Sequence, residues 1–173
     1  MKLSQQEIKM TQKEILLEQF VSVHNQKSWF VTINDALTDL TPESASWNSG
    51  SENHSIWQIV HHLIFWNERW LKKFNGQEVP KMDGDNKTTY STGASNEDWE
   101  KTVSHIDKIL TEWHNAIKEK DNAELMKPVF EGEADPWYSY LHTIAMHNAY
   151  HIGQIVTLRK LQGSWDPDQG VAT

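Results

Sequence analysis

Two histidines near the end of the chain, His147 and His151, stand four residues apart in the stretch His-Asn-Ala-Tyr-His. On a helix this spacing places both imidazoles on one face, about 6 Å apart along the axis, which suits two ligands of one metal ion. The zinc-protease motif HExxH is excluded, because its general-base Glu follows the first histidine and position 148 is Asn. The pair is therefore a candidate metal site of another kind.

The neighbours of this pair predict that it faces the protein interior. Residues at the helical period form one stripe, namely Tyr140, Ile144, His147, His151, Ile155 and Leu158. Asn148 and Lys160 fall off this stripe, and Arg159 lies at its edge. A buried imidazole with an unsatisfied donor or acceptor costs about 1–3 kcal/mol, so a metal ion or a specific polar partner is expected. Two core histidines that satisfy each other remain an alternative.

A second histidine pair, His61 and His62, lies in the middle of the chain. Adjacent residues on a helix point about 100° apart, so only one of the two can face a given neighbour. His62 shares a row with Ile59, Trp66 and Trp70, whereas the row through His61 contains Glu68 and Lys72. We therefore expect His62 to be buried and His61 to lie nearer the surface.

Helical periodicity extends over four segments, and no strand pattern is evident. The first helix is predicted over residues 11–40, the second over 55–74 behind a Ser55–Gln58 capping box, the third from Ser95 through Ile117, and the last from Asp135-Pro136 to Gly163. His105 and His114 fall off the third stripe and are predicted at the surface.

These four helices predict an all-α four-helix bundle with long inter-helix connections. Residues 77–94 are expected to form a long loop that covers one end of the bundle, and residues 121–135 a second connection with a short turn at Leu125-Met126. We expect one domain over residues 1–173, with an ordered core over about residues 8–163 and a loosely ordered tail.

Composition excludes several classes of function. The formal charge of -8 and the isoelectric point near 5.5 argue against binding to nucleic acid or to an anionic membrane. The chain contains no cysteine, so a metal site must use nitrogen and oxygen ligands. No apolar leader and no stretch of about 18 apolar residues is present, and we expect a soluble cytoplasmic protein.

The segments Ile59-Val-His-His62-Leu and His147-x-x-x-His151-x-Gly-Gln154, followed by Arg159 and Gly163, resemble the DinB-like (DinB/YfiT) four-helix-bundle family over nearly the whole chain. This resemblance implies that His62 joins His147 and His151 in holding one divalent metal ion, most often nickel or zinc, with a coordination position left open. The chain departs from the frequent family pattern at Tyr150 and Ile152, where His and Arg often stand.

An open three-histidine site is typical of catalytic rather than structural metal centres. The resemblance implies a metal-dependent enzyme, either a hydrolase or a transferase of low-molecular-weight thiols; the alternative is a non-catalytic metal-binding or stress-response protein. Trp66 and Tyr150 near the ligands predict an aromatic-lined cleft for a small, partly apolar substrate. Glu68 lies off the His62 row, so no carboxylate is placed as a general base. The family and the high count of nine tryptophans favour a homodimer.

Overall fold

The computed structural model describes residues 10–50, 53–82, 84–91 and 96–168, and it contains no strand within those ranges. The α-helices are α1 (Gln12–His24), α2 (Ile33–Leu37), α3 (Pro42–Ser46), α4 (Ile56–Phe74), α5 (Asn96–Glu119), α6 (Asn122–Leu125) and α7 (Trp137–Leu161). A 3₁₀ helix, Asn86–Tyr90, lies in the connection between α4 and α5. The all-α prediction is therefore confirmed.

The four long helices α1, α4, α5 and α7 form the bundle. Helix α5 packs against α1 and α4, and α7 packs against the same two helices from the other side. Helices α1 and α4 therefore occupy one diagonal of the bundle, and α5 and α7 occupy the other. Two pairs of consecutive long helices, α1 with α4 and α5 with α7, therefore lie diagonally opposite each other. The chain needs a long connection to join each pair, as the sequence predicts. This arrangement brings α4 and α7 side by side.

Local signals fix where the long helices begin and end. The Ser55 side chain accepts a hydrogen bond from the Gln58 backbone, and the Gln58 side chain accepts one from the Ser55 backbone, so the predicted capping box of α4 is present. After α7, Gly163 adopts a positive φ of 73° that a residue with a side chain rarely takes. The capping role of Ser95 lies outside the described residues.

The prediction of one long first helix is wrong. Helix α1 ends at His24, and the chain starts a new helix at Ile33. The Thr32 hydroxyl accepts a hydrogen bond from the Asp35 backbone at 3.0 Å and caps this second start. The break turns α2 toward α7 and buries Ile33 and Ala36, which a straight continuation of α1 would not do. Apolar spacing that continues across the break concealed it.

The start of α7 also differs from the prediction. Pro136, expected as the first helical residue, is itself the N-cap, with no side-chain hydrogen bond to the helix.

After the C-terminus of α7, the first residues of the tail make more contacts with the bundle than the sequence predicts. The Arg159 guanidinium donates to the Ser164 carbonyl at 2.8 Å and lies over the Trp165 ring. Residues 169–173 lie outside the described part of the chain.

The core is wider than the stripe read from the sequence. Asn148, predicted off the stripe, is 2% exposed and exchanges two hydrogen bonds with Asn67 of α4, at 2.7 and 3.1 Å. Arg159, predicted at the edge, is buried and donates to the Ala36 carbonyl at 2.9 Å. Helix α7 buries a broader face because it contacts α1, α2 and α4 at once. Among the surface predictions, His105 is exposed but His114 is half-buried.

No helix within the described ranges combines the length and the apolar character that crossing a bilayer requires.

Candidate metal centre

Three histidine side chains converge between α4 and α7. The Nε2 atom of His147 lies 3.2 Å from Nε2 of His62 and 3.2 Å from Nε2 of His151. His62 and His151 are buried, at 2% and 4% exposure, and His147 is half-buried. The structure thus brings together the three predicted ligands, and each of them presents the same ring nitrogen to one point. That arrangement could hold a metal ion.

The proton position on His62 follows from its neighbour in the 3₁₀ helix. The Thr89 hydroxyl donates its single hydrogen to the Asn86 carbonyl, at 2.6 Å. It must therefore accept from His62 Nδ1, which lies 2.6 Å away in a buried contact. With the proton on Nδ1, the Nε2 atom of His62 carries a lone pair toward the other two histidines.

His151 is held in the same tautomer by a residue of its own helix. Its Nδ1 lies 2.7 Å from Oε1 of Gln154, and the Gln154 Nε2 donates to the Tyr150 hydroxyl at 3.0 Å. Because the amide oxygen can only accept, Nδ1 of His151 carries the proton and Nε2 presents a lone pair. Such an outer partner is what a metal-ligating histidine requires.

The three imidazoles are kept neutral. Burial lowers the pKa of His62 to about 3, helped by His151, His147 and His54, and burial together with His151 lowers the pKa of His147 to about 4. Burial also lowers the pKa of His151, against the opposing hydrogen bond to Gln154. Neutral imidazole is the form that binds metals.

The three imidazole nitrogens are satisfied more completely by a metal ion than by hydrogen bonds to one another. His62 and His151 both present lone pairs, and a neutral His147 can place one hydrogen between them at most. At least one buried nitrogen would then lack a hydrogen bond, at a cost of about 1–3 kcal/mol. A divalent cation accepts all three lone pairs and removes that cost.

A cavity of about 320 Å³ opens beside His62 and His147, and we name it the aromatic slot. Its walls include Trp66, Trp70 and Ile144, with Asn67 and Asn86 as polar members. Trp66 donates to the Asn86 side chain at 3.2 Å, which fixes the indole against the 3₁₀ helix. The predicted aromatic cleft is present on the Trp66 side. Tyr150 lines a different cavity, and the described residues of that lining include none of the three histidines.

Several residues around the centre were not identified from the sequence. The Tyr90 ring stacks on His62 with centroids 4.1 Å apart, and His54 stacks on the other face of Tyr90 at 3.7 Å. Together with Thr89 they come from connections, where no periodic pattern marks a contact. Gln154 could have been recognised, since it stands one helical turn after His151.

The neighbouring groups expected to lie outside the centre do so. His61 is half-buried and contributes no nitrogen to the cluster. Glu68 lies 2.9 Å from His105 and 3.9 Å from Lys72, on the side of α4 that faces α5. The cluster formed by the described residues therefore contains imidazole nitrogen only.

Replacing Thr89 by valine should weaken metal binding about 10–100-fold, the range typical for loss of an outer partner of a metal-ligating histidine. Valine has nearly the same shape but cannot accept the Nδ1 hydrogen of His62. A competition titration against a coloured chelator measures the affinity. Thr88→Val is the matched control, because Thr88 is an exposed residue of the same 3₁₀ helix. Equal affinities of the two variants would contradict the assigned role of Thr89.

Comparison with known proteins agrees with this architecture. The family sequence model of the DinB superfamily matches residues 31–155 of this chain. Among solved structures, YfiT from Bacillus subtilis is similar, with a TM-score of 0.67 and 16% identity over 96% of this chain and 95% of that one. It is described as a probable metal-dependent hydrolase with an unusual four-helix bundle topology. No curated protein matches.

The fold and the centre define a helical-bundle protein with a three-histidine cluster between two neighbouring helices. The family match covers most of the chain, including all three histidines. The chain belongs to the DinB superfamily.

Proposed function

We propose that this protein is a metal-dependent hydrolase that holds one divalent ion, nickel or zinc, through Nε2 of His62, His147 and His151. The observation that carries the proposal is the convergence of these nitrogens, two of which are fixed as lone pairs by Thr89 and Gln154. Three protein ligands leave coordination positions open, as in catalytic zinc sites. The description of YfiT supports the same class of reaction.

A divalent ion held there would supply Lewis acidity and would lower the pKa of a coordinated water. The side chains around the centre have two roles: they orient the ligand rings and they exclude water. Thr89 and Gln154 hold the imidazole rings of His62 and His151 in one tautomer. The indoles of Trp66 and Trp70 form an apolar wall that excludes water and contacts an apolar group of the substrate. No charged side chain lines the slot among the described residues, which favours a neutral ester or amide over an anionic substrate.

Transfer of a low-molecular-weight thiol is the second candidate. The observation in its favour is that the described residues place no carboxylate at the cluster to act as a general base. A thiol bound to a divalent ion loses its proton without such a base. The same open site therefore suits either chemistry.

The test begins with protein purified without an affinity tag and assayed for metal by mass spectrometry. The zinc- and nickel-loaded forms are then offered neutral 4-nitrophenyl esters and anilides, and in parallel 1-chloro-2,4-dinitrobenzene with simple thiols. Metal-dependent release of nitrophenol or nitroaniline supports the hydrolase, and metal-dependent thioether formation supports the transferase. Metal-free protein and the His62→Ala variant are the controls. A loaded protein inactive in both panels would favour a non-catalytic metal-binding role.

A further inference from the structure

Amide and hydroxyl side chains from three described residues line the aromatic slot, and two of them have already used their hydrogens. The Asn67 amide nitrogen donates to the Leu63 carbonyl at 2.8 Å and to the Asn148 side chain at 2.7 Å. The Thr143 hydroxyl donates its single hydrogen to the Ser139 carbonyl at 2.9 Å. Neither side chain therefore has a hydrogen for a molecule in the slot.

The third side chain, Asn86, keeps its amide nitrogen unpaired. The Trp66 indole nitrogen can only donate, so the Asn86 atom that lies 3.2 Å from it is the oxygen. The Asn86 nitrogen is bonded to the same carbon as this oxygen and therefore lies at the same wall of the slot. Asn86 is exposed, and neither hydrogen on its nitrogen has an acceptor among the described residues. A molecule in the slot can therefore receive a hydrogen bond from Asn86.

Asn86 is also fixed relative to the histidine cluster. Its backbone carbonyl accepts the Thr89 hydroxyl at 2.6 Å, and Thr89 in turn accepts from Nδ1 of His62. The contact with Trp66 holds its side chain, and the contact with Thr89 holds its backbone beside a predicted metal ligand. A donor that is held at both ends loses little conformational freedom when a ligand binds.

We propose that Asn86 is a specificity-determining residue, which donates a hydrogen bond to an acceptor oxygen on a flat, neutral aromatic group in the aromatic slot. The ring of that group packs against the indoles of Trp66 and Trp70, and the favoured class is an aryl carbonyl compound. An aryl group without an acceptor desolvates the Asn86 amide and gives it no partner, so it binds less tightly. That the bound group belongs to a substrate rests on the proposed function, whereas the contact itself does not.

Acetophenone and α-methylstyrene test this contact without any turnover, because they differ only in the replacement of a carbonyl oxygen by a methylene group. Both are titrated into isotope-labelled, zinc-loaded protein, and the NMR shifts of indole and side-chain amide groups give two dissociation constants. Asn86→Asp keeps the oxygen that accepts from Trp66 but has no hydrogen to donate. It should lower the preference for acetophenone over α-methylstyrene about fivefold, the effect of one neutral hydrogen bond.

Asn122→Asp is the matched control, because the Asn122 oxygen accepts from the Tyr138 hydroxyl at 2.9 Å and the residue does not line the slot. Trp70→Phe keeps an aromatic ring in the wall but removes the indole N–H. Both variants should keep the wild-type preference for acetophenone. In the wild type, acetophenone should shift the side-chain amide resonances of Asn86 more than α-methylstyrene does, a measurement that needs no variant.

An unchanged preference in zinc-loaded Asn86→Asp would overturn the inference, even if the wild-type protein hydrolyses esters, because the carbonyl would then bind elsewhere. Loss of the preference in Trp70→Phe would overturn it too, since the donor would then be the indole. The expected fivefold loss in Asn86→Asp, found with a protein that hydrolyses nothing, would support the contact and overturn the hydrolase instead.

Discussion

Replacement of His62 by alanine is expected to lower the affinity for zinc or nickel by more than about 100-fold, beyond the 10–100-fold typical for loss of an outer partner. His62 supplies one of three nitrogens, and its lone pair is already directed at the centre by the contact with Thr89. Two histidines four residues apart on one helix would remain as a weaker, two-ligand site. Metal content after gel filtration, and competition with a chelator, measure the loss.

His61→Ala is the control for this experiment, since it removes the adjacent imidazole of the same helix. His61 contributes no nitrogen to the cluster, and its ring faces Trp57, with centroids 6.5 Å apart. We expect about one metal ion per chain in this variant, as in the wild type. Retention of metal by His62→Ala together with loss from His61→Ala would show that the ligand from α4 is misassigned.

Asn67→Leu is expected to reduce the free energy of unfolding by about 2–4 kcal/mol, because each unsatisfied buried polar group costs about 1–3 kcal/mol. Asn67 is 1% exposed and pairs with Asn148 through both ends of the amide. Leucine fills a similar volume but leaves the Asn148 oxygen and nitrogen without partners in the core. Urea unfolding followed by circular dichroism measures the change.

The double variant Asn67→Leu/Asn148→Leu separates this explanation from a simple loss of packing. With both amides removed, no polar group is left unsatisfied, and the double variant should be more stable than either single variant by about 1 kcal/mol or more. Asn115→Leu, at an exposed position of α5, should change stability by less than about 0.5 kcal/mol. Additive destabilisation in the double variant would refute the pairing argument.

Most of the bundle could be predicted because the signals that start, continue and end its helices are local in the sequence. Capping at Ser55, the apolar period of α4 and the stop at Asn75-Gly76 all depend on residues within a few positions of one another. The break between α1 and α2 was missed for the converse reason. The apolar period continues through Phe30 and Ile33, and what ends α1 is the gain from burying α2 against α7.

The residues of the metal centre also fall into two groups, those that could be predicted from the sequence and those that could not. The one-turn spacing of His147 and His151, and the preference for His62 over His61, follow from helical geometry and the pattern of neighbours, and the family resemblance joins the three. The partners Thr89 and Tyr90 belong to a connection without periodicity. Their contacts with His62 exist only because the chain between α4 and α5 folds back onto α4.

The sequence by itself determined the helix class, three of the four long helices, the absence of thiolate ligands, the one-turn spacing of His147 and His151 and the preference for His62 over His61, because each depends on residue type and short-range spacing. The family resemblance was needed to join the three histidines into one predicted ligand set. Only the tertiary structure decided which nitrogen carries the proton in His62 and His151, that Asn148 is buried against Asn67, and that an aromatic-lined cavity opens beside His62 and His147. These features depend on distances between residues far apart in the chain, and packing of α4 against α7 sets those distances.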